Sequence, residues 1–255
     1  MIVDANVYLG RWPFRRLPDD EPAALAARLR RYGVAQAWTG SFEGVFHKDI
    51  GGANARLVRD CRRHGEGLLA PFGSVNPKLP DWREELRRCH EDYKMRGIRL
   101  HPNYHGYTLE DPAAGELLRM AGARGLVVQI AAQMEDARVQ HPLMQAPPVD
   151  LSGLPKLAGA VPQLRLVLLN GLRAVSPQAI RPLAAVPGIL FDIAMLEGVG
   201  GVARLAEQVS PRRVLFGSYF PFYYFESALL KMREAGLGEA ETQGILSENA
   251  RELLG

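Results

Sequence analysis

The sequence predicts a single (β/α)8 barrel, an α/β TIM-barrel fold of eight parallel strands ringed by helices, over residues 1–255. Three observations predict it. The 255 residues suit one large domain of this size class. Short runs rich in Val, Ile and Leu alternate with amphipathic segments along the whole chain. The runs are apolar almost throughout, as strands of a helix-covered parallel sheet must be. An open doubly wound sheet is the runner-up. It would carry a Gly-rich phosphate turn after its first strand, and GRWPFRRLPDDEP (10–22) is not one.

In chain order, the first strand is expected at 2–8 (IVDANVY) and its helix at 21–32. The next pairs are 34–40 with 52–64, 68–75 with 81–95, and 97–101 with 112–124. Then come 126–132 with 151–160, 163–170 with 177–186, 189–194 with 200–208, and 213–218 with 224–236. A helix at 242–254 closes the chain. The longest irregular stretches are 9–20, 41–51, 102–111 and 133–150. Each follows a strand, so each is expected on the C-terminal face, where barrel enzymes keep their active sites.

Composition excludes several classes. A hydrophobic share of 47% and a charged share of 23% rule out a disordered or fibrous chain. Two cysteines, Cys61 and Cys89, make neither a disulfide framework nor a Cys-rich zinc site. They read as reduced thiols of a cytoplasmic protein. The net charge of +3 comes from arginines spread among acids, as in DWREELRRCHEDYKMR, which argues against a nucleic-acid stripe. No run of about 18 apolar residues predicts a membrane span. MIVDANVYLG does not read as a secretory leader. The expected partner is a small molecule, and a homo-oligomer is compatible with the fold.

VDANVYLG (3–10) resembles the opening of the amidohydrolase-related family, whose chains begin Asp-x-His-x-His and then Leu-Gly. Further segments match in order. SVNP (74–77) is similar to the family's third-strand ending, and RGIRLHPNY (96–104) to its fourth strand and loop. LVLLNGL (166–172) sits where the family has a strand ending in His. RVLFGSYFP (213–221) is similar to the eighth strand, which ends Phe-Gly-Ser-Asp-x-Pro, and ILSENARELLG (245–255) to the closing helix. The resemblance implies a metal-dependent hydrolase-like barrel, but the ligand positions depart from it. Asp4 is kept. Asn6 and Tyr8 replace the two first-strand histidines, Asn170 the sixth-strand histidine, and Tyr219 the eighth-strand aspartate. The fifth-strand histidine falls near Ala131, between Gln129 and Gln133. Amides and a protonated phenol are poor zinc ligands, so the expectation is that no metal cofactor is used.

Strand alternation then sorts the interior. Asp4, Asn6 and Tyr8 are expected to face into the barrel, with Val3, Ala5 and Val7 toward the helices. The same parity turns Arg99, His101, Gln129, Gln133, Asn170, Asp192 and Tyr219 inward. A buried Arg99 calls for a carboxylate, with Asp4 and Asp192 as candidates. His101 and Asp192 are the expected catalytic residues, His101 as acid or base and Asp192 as its orienting partner or as the counter-ion of Arg99. Asn6, Tyr8, Arg99, Tyr104, His105, Gln133, Arg138, His141, Asn170 and Tyr219 are the expected substrate-binding set, with Arg99 and Arg138 as anion clamps. Glu197 is a lesser carboxylate candidate, His47 a candidate lid residue, and Tyr223 or Tyr224 a pocket wall. Ser218 lacks the Gly-x-Ser-x-Gly elbow of a serine nucleophile.

The expected function is a hydrolase-like reaction, lactone opening and lyase chemistry included, on a small polar or anionic substrate at the C-terminal mouth. Two rivals stand beside it. One is an inactive barrel that binds a ligand or partner. The other is a metal-dependent hydrolase whose site has moved to His101, His105 and His141.

Overall fold

The computed structural model describes residues 1–171 and 177–255. Eight parallel strands follow one another in sequence order: β1 (Ile2–Leu9), β2 (Val34–Ser41), β3 (Leu69–Ser74), β4 (Gly97–Leu100), β5 (Val127–Ala131), β6 (Arg165–Leu169), β7 (Ile189–Asp192) and β8 (Val214–Leu215). Backbone bonds carry the ring from the β8 end back to β1. Ala5 donates to the Phe216 carbonyl at 2.9 Å, Tyr219 to Asn6 at 2.8 Å and Tyr8 to Phe220 at 3.0 Å. The (β/α)8 barrel read from the sequence is therefore the observed fold. Leu172, the end of the LVLLNGL motif, lies outside the described residues.

Helices cover the strands: α1 (Pro22–Arg31), α2 (Glu43–Phe46), α3 (Ile50–Gly65), α4 (Trp82–Arg87), α5 (Pro102–His105), α6 (Pro112–Ala123), α7 (Leu154–Gly159), α8 (Pro177–Ala184), α9 (Gly201–Val209), α10 (Phe225–Glu234), α11 (Glu239–Gln243) and α12 (Asn249–Leu254). Two of the expected helices are interrupted. A π-turn at Arg88–Asp92 follows α4, and another at Gly244–Glu248 joins α11 to α12. α2 and α5 are short helices inside stretches expected to be irregular. α5 starts on Pro102, whose fixed φ suits a first turn, and stops at Gly106, which adopts φ 69°.

The core has three layers. Ile98, Leu100, Val128, Ile130, Leu166, Leu168 and Phe191 face outward and bury against helix residues such as Leu25, Leu57 and Leu117. Inside the lower barrel, Val3, Ala5, Trp38, Phe72, Val127, Val167, Leu190 and Leu215 fill the interior, with Trp38 stacked on Phe72 at 5.0 Å. Above them an aromatic cluster of Tyr8, Trp12, Phe42, Met134 and Tyr219 occupies the mouth.

β1 corrects one expectation. Val3 and Ala5 point into the barrel, and Val7 and Leu9 meet the helices. The β1–β2 register shifts between Asp4 and Val7. An inserted residue in a strand flips the side chains beyond it to the other face. The same irregularity frees the Ala5 and Val7 carbonyls to accept bonds from side chains inside the barrel.

Candidate active site

His101 follows β4 directly and precedes α5. Its ring is fully buried, and its Nε2 lies 3.0 Å from the Tyr8 hydroxyl. Tyr8 stacks on Phe42 with centroids 4.9 Å apart, and its hydroxyl also lies 3.5 Å from Met134 Sδ. Burial, with smaller contributions from His105 and Arg99, holds the His101 imidazole well below its ordinary range. It is therefore neutral at pH 7. Burial raises the Tyr8 phenol, with Arg99 opposing. A neutral imidazole bonded to a protonated phenol in a dry setting is equipped to pass a proton in either direction.

Arg99 does not find the carboxylate expected of it. Its Nε donates to Gln129 Oε1 at 2.7 Å, and its terminal nitrogens donate to the carbonyls of Val7 (2.8 Å), Trp38 (3.0 Å) and Ala5 (3.4 Å). The guanidinium carbon sits 4.3 Å from the Tyr8 ring centroid, a cation–π contact. Carbonyl dipoles, two of them beside the β1 bulge, take the place of a counter-ion. Gln129 joins them, donating to the Ala5 carbonyl at 2.7 Å. Gly40 makes room for this arrangement: a Cβ there would stand 2.7 Å from Arg99 Nη1. With its donors engaged below the mouth, Arg99 is not placed as an anion clamp.

Asp192 also departs from expectation. It bonds neither His101 nor Arg99. Its Oδ2 accepts from Asn6 Nδ2 at 2.7 Å and its Oδ1 from the Asn170 backbone at 2.9 Å. Asn6 Nδ2 also donates to Asn170 Oδ1 at 2.9 Å, and Asn170 Nδ2 donates to the Gln133 carbonyl at 2.9 Å. Asn170 adopts φ 56°, which turns its side chain toward the barrel at the end of β6. Asp4 sits on the other flank of Asn6 and accepts from the Asn6 and Ser218 backbones, both at 3.0 Å, and from the Ser218 hydroxyl. Burial raises both carboxyls, Asp4 to about 7 and Asp192 to about 6, against the lowering effect of these bonds.

The roof of the mouth is aromatic. Trp12, from the loop after β1, packs edge-on to Phe14, Phe42, Tyr104 and Phe222. Tyr219 stacks on Phe222 at 4.9 Å and donates its hydroxyl to the Met134 carbonyl at 2.6 Å. Arg15 pairs with the buried Glu135 and lies over the Phe222 ring. Gln133 donates to the Glu135 carbonyl. Trp12, Arg15, Phe42 and Met134 carry no catalytic signature in the sequence. Only their position in long loops after strands marks them.

Other candidates fall as follows. His105 and Tyr104 join the mouth through α5. Arg138 is exposed and paired with Asp136, so it forms no second clamp. His141 stacks on Phe14 at 5.2 Å and accepts from the Leu143 backbone. His47 is exposed beside Arg56 and forms no lid over the mouth. Tyr223 packs on Tyr219, whereas Tyr224 is exposed. Among the described residues, no group of three or more His, Cys, Asp or Glu side chains comes together to hold a metal ion, so the relocated trio does not form there. No helix of the described residues is long and apolar enough to cross a membrane.

A family model described as Amidohydrolase matches residues 8–255. No curated protein matches the sequence. Solved structures share the fold. The 5-carboxyvanillate decarboxylase from Sphingomonas paucimobilis is 13% identical over 99% of this chain and 98% of that one, with a TM-score of 0.75. The 4-oxalomesaconate hydratase from Rhodopseudomonas palustris is 16% identical over 100% and 95%, with a TM-score of 0.72. The dihydroxybenzoic acid decarboxylase from a Polaromonas species, solved with bound manganese and an inhibitor, is 14% identical over 98% and 97%, with a TM-score of 0.70. The donor set at this mouth does not suit such an ion. It offers two amides, two phenols and two imidazoles, His101 already bonded to a phenol, and the one carboxylate that joins the amides, Asp192, is taken up by Asn6 and the Asn170 backbone.

Proposed function

The chain belongs to the amidohydrolase family, and on that premise we propose that it is a metal-independent member acting on a small polar molecule at the C-terminal mouth of its barrel. The observation that carries this reading is the Tyr8–His101 pair, 3.0 Å apart and fully buried. In this reading Tyr8 donates to His101, and the neutral His101 takes up or returns a proton during a hydrolytic or lyase reaction. Asn6, Asn170 and Asp192 brace the strand ends around the pair. The cations nearest the mouth are engaged, Arg99 by carbonyls and Arg15 by Glu135. The geometry therefore favours an uncharged ligand group over the anionic one that Arg99 and Arg138 were expected to clamp.

A second reading has its own support. Tyr8, His101 and Tyr219 each have 0% exposure beneath the aromatic roof, which suits a barrel that binds without turnover. Cys61 and Cys89 are buried free thiols, in keeping with the reducing cytoplasm proposed for either reading.

The test is turnover of a panel of small esters, lactones and aromatic acids by protein stripped with a chelator, with metal content measured in parallel. Activity that survives stripping and is lost in His101→Ala supports the enzyme reading. Activity that returns only with added metal overturns it. Ligand-dependent thermal stabilisation without product supports the binding reading.

A further inference from the structure

His101 and His105 stand one helical turn apart, with the His105 backbone donating to the His101 carbonyl at 2.9 Å. Their ring centroids are 5.5 Å apart and the rings meet edge to face at 71°. Each ring has one nitrogen engaged and one not. His105 Nε2 lies 3.0 Å from the Gly44 carbonyl. A carbonyl only accepts, so Nε2 carries the hydrogen and Nδ1 keeps a bare lone pair. His101 Nε2 faces the Tyr8 hydroxyl, whose other neighbour is the weak thioether acceptor of Met134. The phenol therefore donates to Nε2, and His101 carries its hydrogen on Nδ1. Both Nδ1 atoms are buried and have no partner. Buried polar atoms are normally satisfied, so each such pair of orphans asks for a missing group. A third orphan, Ser74 Oγ, lies against Gly44. A Cβ at Gly44 would stand 2.1 Å from it, and the Gly44 carbonyl is the partner of His105 Nε2.

We propose that His101 and His105 hold one hydroxyl oxygen between their Nδ1 atoms, supplied by a ligand alcohol or phenol or by water, as the specificity subsite of the mouth. The ligand arm rests on the function proposed above; the water arm does not. One donor beside one acceptor matches an O–H group, which does both. A carboxylate only accepts and an ammonium only donates. Burial keeps both rings uncharged, with the bond to Gly44 opposing this at His105, so neither attracts an anion. His105 is then a binding residue that selects hydroxylated ligands for the Tyr8–His101 pair.

The test is long-range proton–nitrogen NMR on histidine-labelled protein at pH 7, alone and with phenol, benzoate or toluene. Both rings should be neutral, His105 protonated on Nε2 and His101 on Nδ1, with both Nδ1 resonances displaced from free-imidazole positions. If phenol displaces both further and benzoate and toluene do not, the oxygen comes from a ligand. His105→Phe should then weaken phenol binding about tenfold, the worth of one hydrogen bond. If both Nδ1 atoms are hydrogen-bonded but blind to phenol, the oxygen is a water. A charged ring, the opposite tautomers, or an Nδ1 at its free-imidazole position in every sample would overturn the proposal. These resonances report the subsite in the resting protein, so a failure to find turnover leaves the result readable.

Discussion

On the β6–β8 side of the barrel mouth, Asn6, Asn170 and Asp192 bond to one another. On the β4 side, His101 and His105 each keep an unpartnered nitrogen. Both sides are buried and polar, and both sit at strand ends. The difference lies in where the bonds go. A closed network of short side chains locks three strand ends together and offers one atom, Asn6 Oδ1, to a newcomer. The histidine side offers a donor, an acceptor and a proton-transfer partner. The first side is built for rigidity and the second for a ligand.

The sharpest break of this comparison is His101→Ala. Loss of a positioned acid–base group lowers a rate by about 100- to 10,000-fold. The measurement is turnover of any substrate found by the chelator-stripped screen, with circular dichroism to confirm the fold. Activity within tenfold of the parent would remove His101 from the chemistry and leave the two sides functionally alike.

Arg99→Met tests the floor on which both sides rest. It removes the side-chain donors that reach the Val7 and Trp38 carbonyls inside the barrel. Leaving buried groups unpaired in this way costs about 3–5 kcal/mol, read as a lower denaturation midpoint at unchanged m-value. A loss under about 1 kcal/mol would show that water or Gln129 takes over.

The two sides should also titrate with opposite sign. Asp192 has its carboxyl raised to about 6 by burial. Between about pH 4 and pH 6 the native state keeps a proton there that the unfolded chain has released, so this side loses stability as pH rises. His105 is pushed down to about 4. Between about pH 6.5 and pH 4 the unfolded chain binds a proton that the native state refuses, so this side loses stability as pH falls. Asp192→Asn should therefore gain on the parent from pH 4 to pH 6, and His105→Gln from pH 6.5 to pH 4. Each gain should be on the order of 3 kcal/mol across its window, measured by urea denaturation along the pH series. Slopes of the same sign would break the comparison.

What the sequence disclosed about these two sides divides along physical lines. The outward faces of β4 to β7 follow from a period of two, because nothing interrupts those strands. The partners of Arg99 do not follow. Besides Gln129 they are backbone carbonyls, those of Ala5 and Val7 beside a bulge in β1 and that of Trp38 on β2, and a register shift leaves no mark in residue type. Asn6, Asn170 and Asp192 were each placed at the mouth by parity, but their bonds to one another depend on the left-handed turn at Asn170. His105 belongs to the binding set expected from the sequence, but its pairing with His101 does not follow from it. It stands four residues after His101, the spacing of one helical face, yet Pro102 and Gly106 gave the stretch the look of an irregular loop. Trp12 gave no such signal. An aromatic residue in a loop is ordinary until five other rings converge on it.

The smallest expected effects come from two arginines of the long loops after β1 and β5, and they separate a contact that shapes the mouth from one that does not. Arg15 reaches the carboxylate of Glu135, whose side chain is 2% exposed. Arg15→Ala removes the partner of that carboxylate, and losing a hydrogen bond to a buried charge costs about 1–3 kcal/mol. Arg138 pairs with Asp136 while its own side chain is 78% exposed. Solvent screens such a pair, so Arg138→Ala should leave the melting temperature unchanged. The same variants test the ligand's charge. An anionic ligand clamped by Arg138 would bind Arg138→Ala more weakly than the parent. A neutral hydroxyl held by His101 and His105 would bind it equally well, and would bind Arg15→Ala differently only through the roof. Thermal shift with phenol and benzoate on both variants decides between them, and a loss of benzoate stabilisation confined to Arg138→Ala would restore the anionic reading of the mouth.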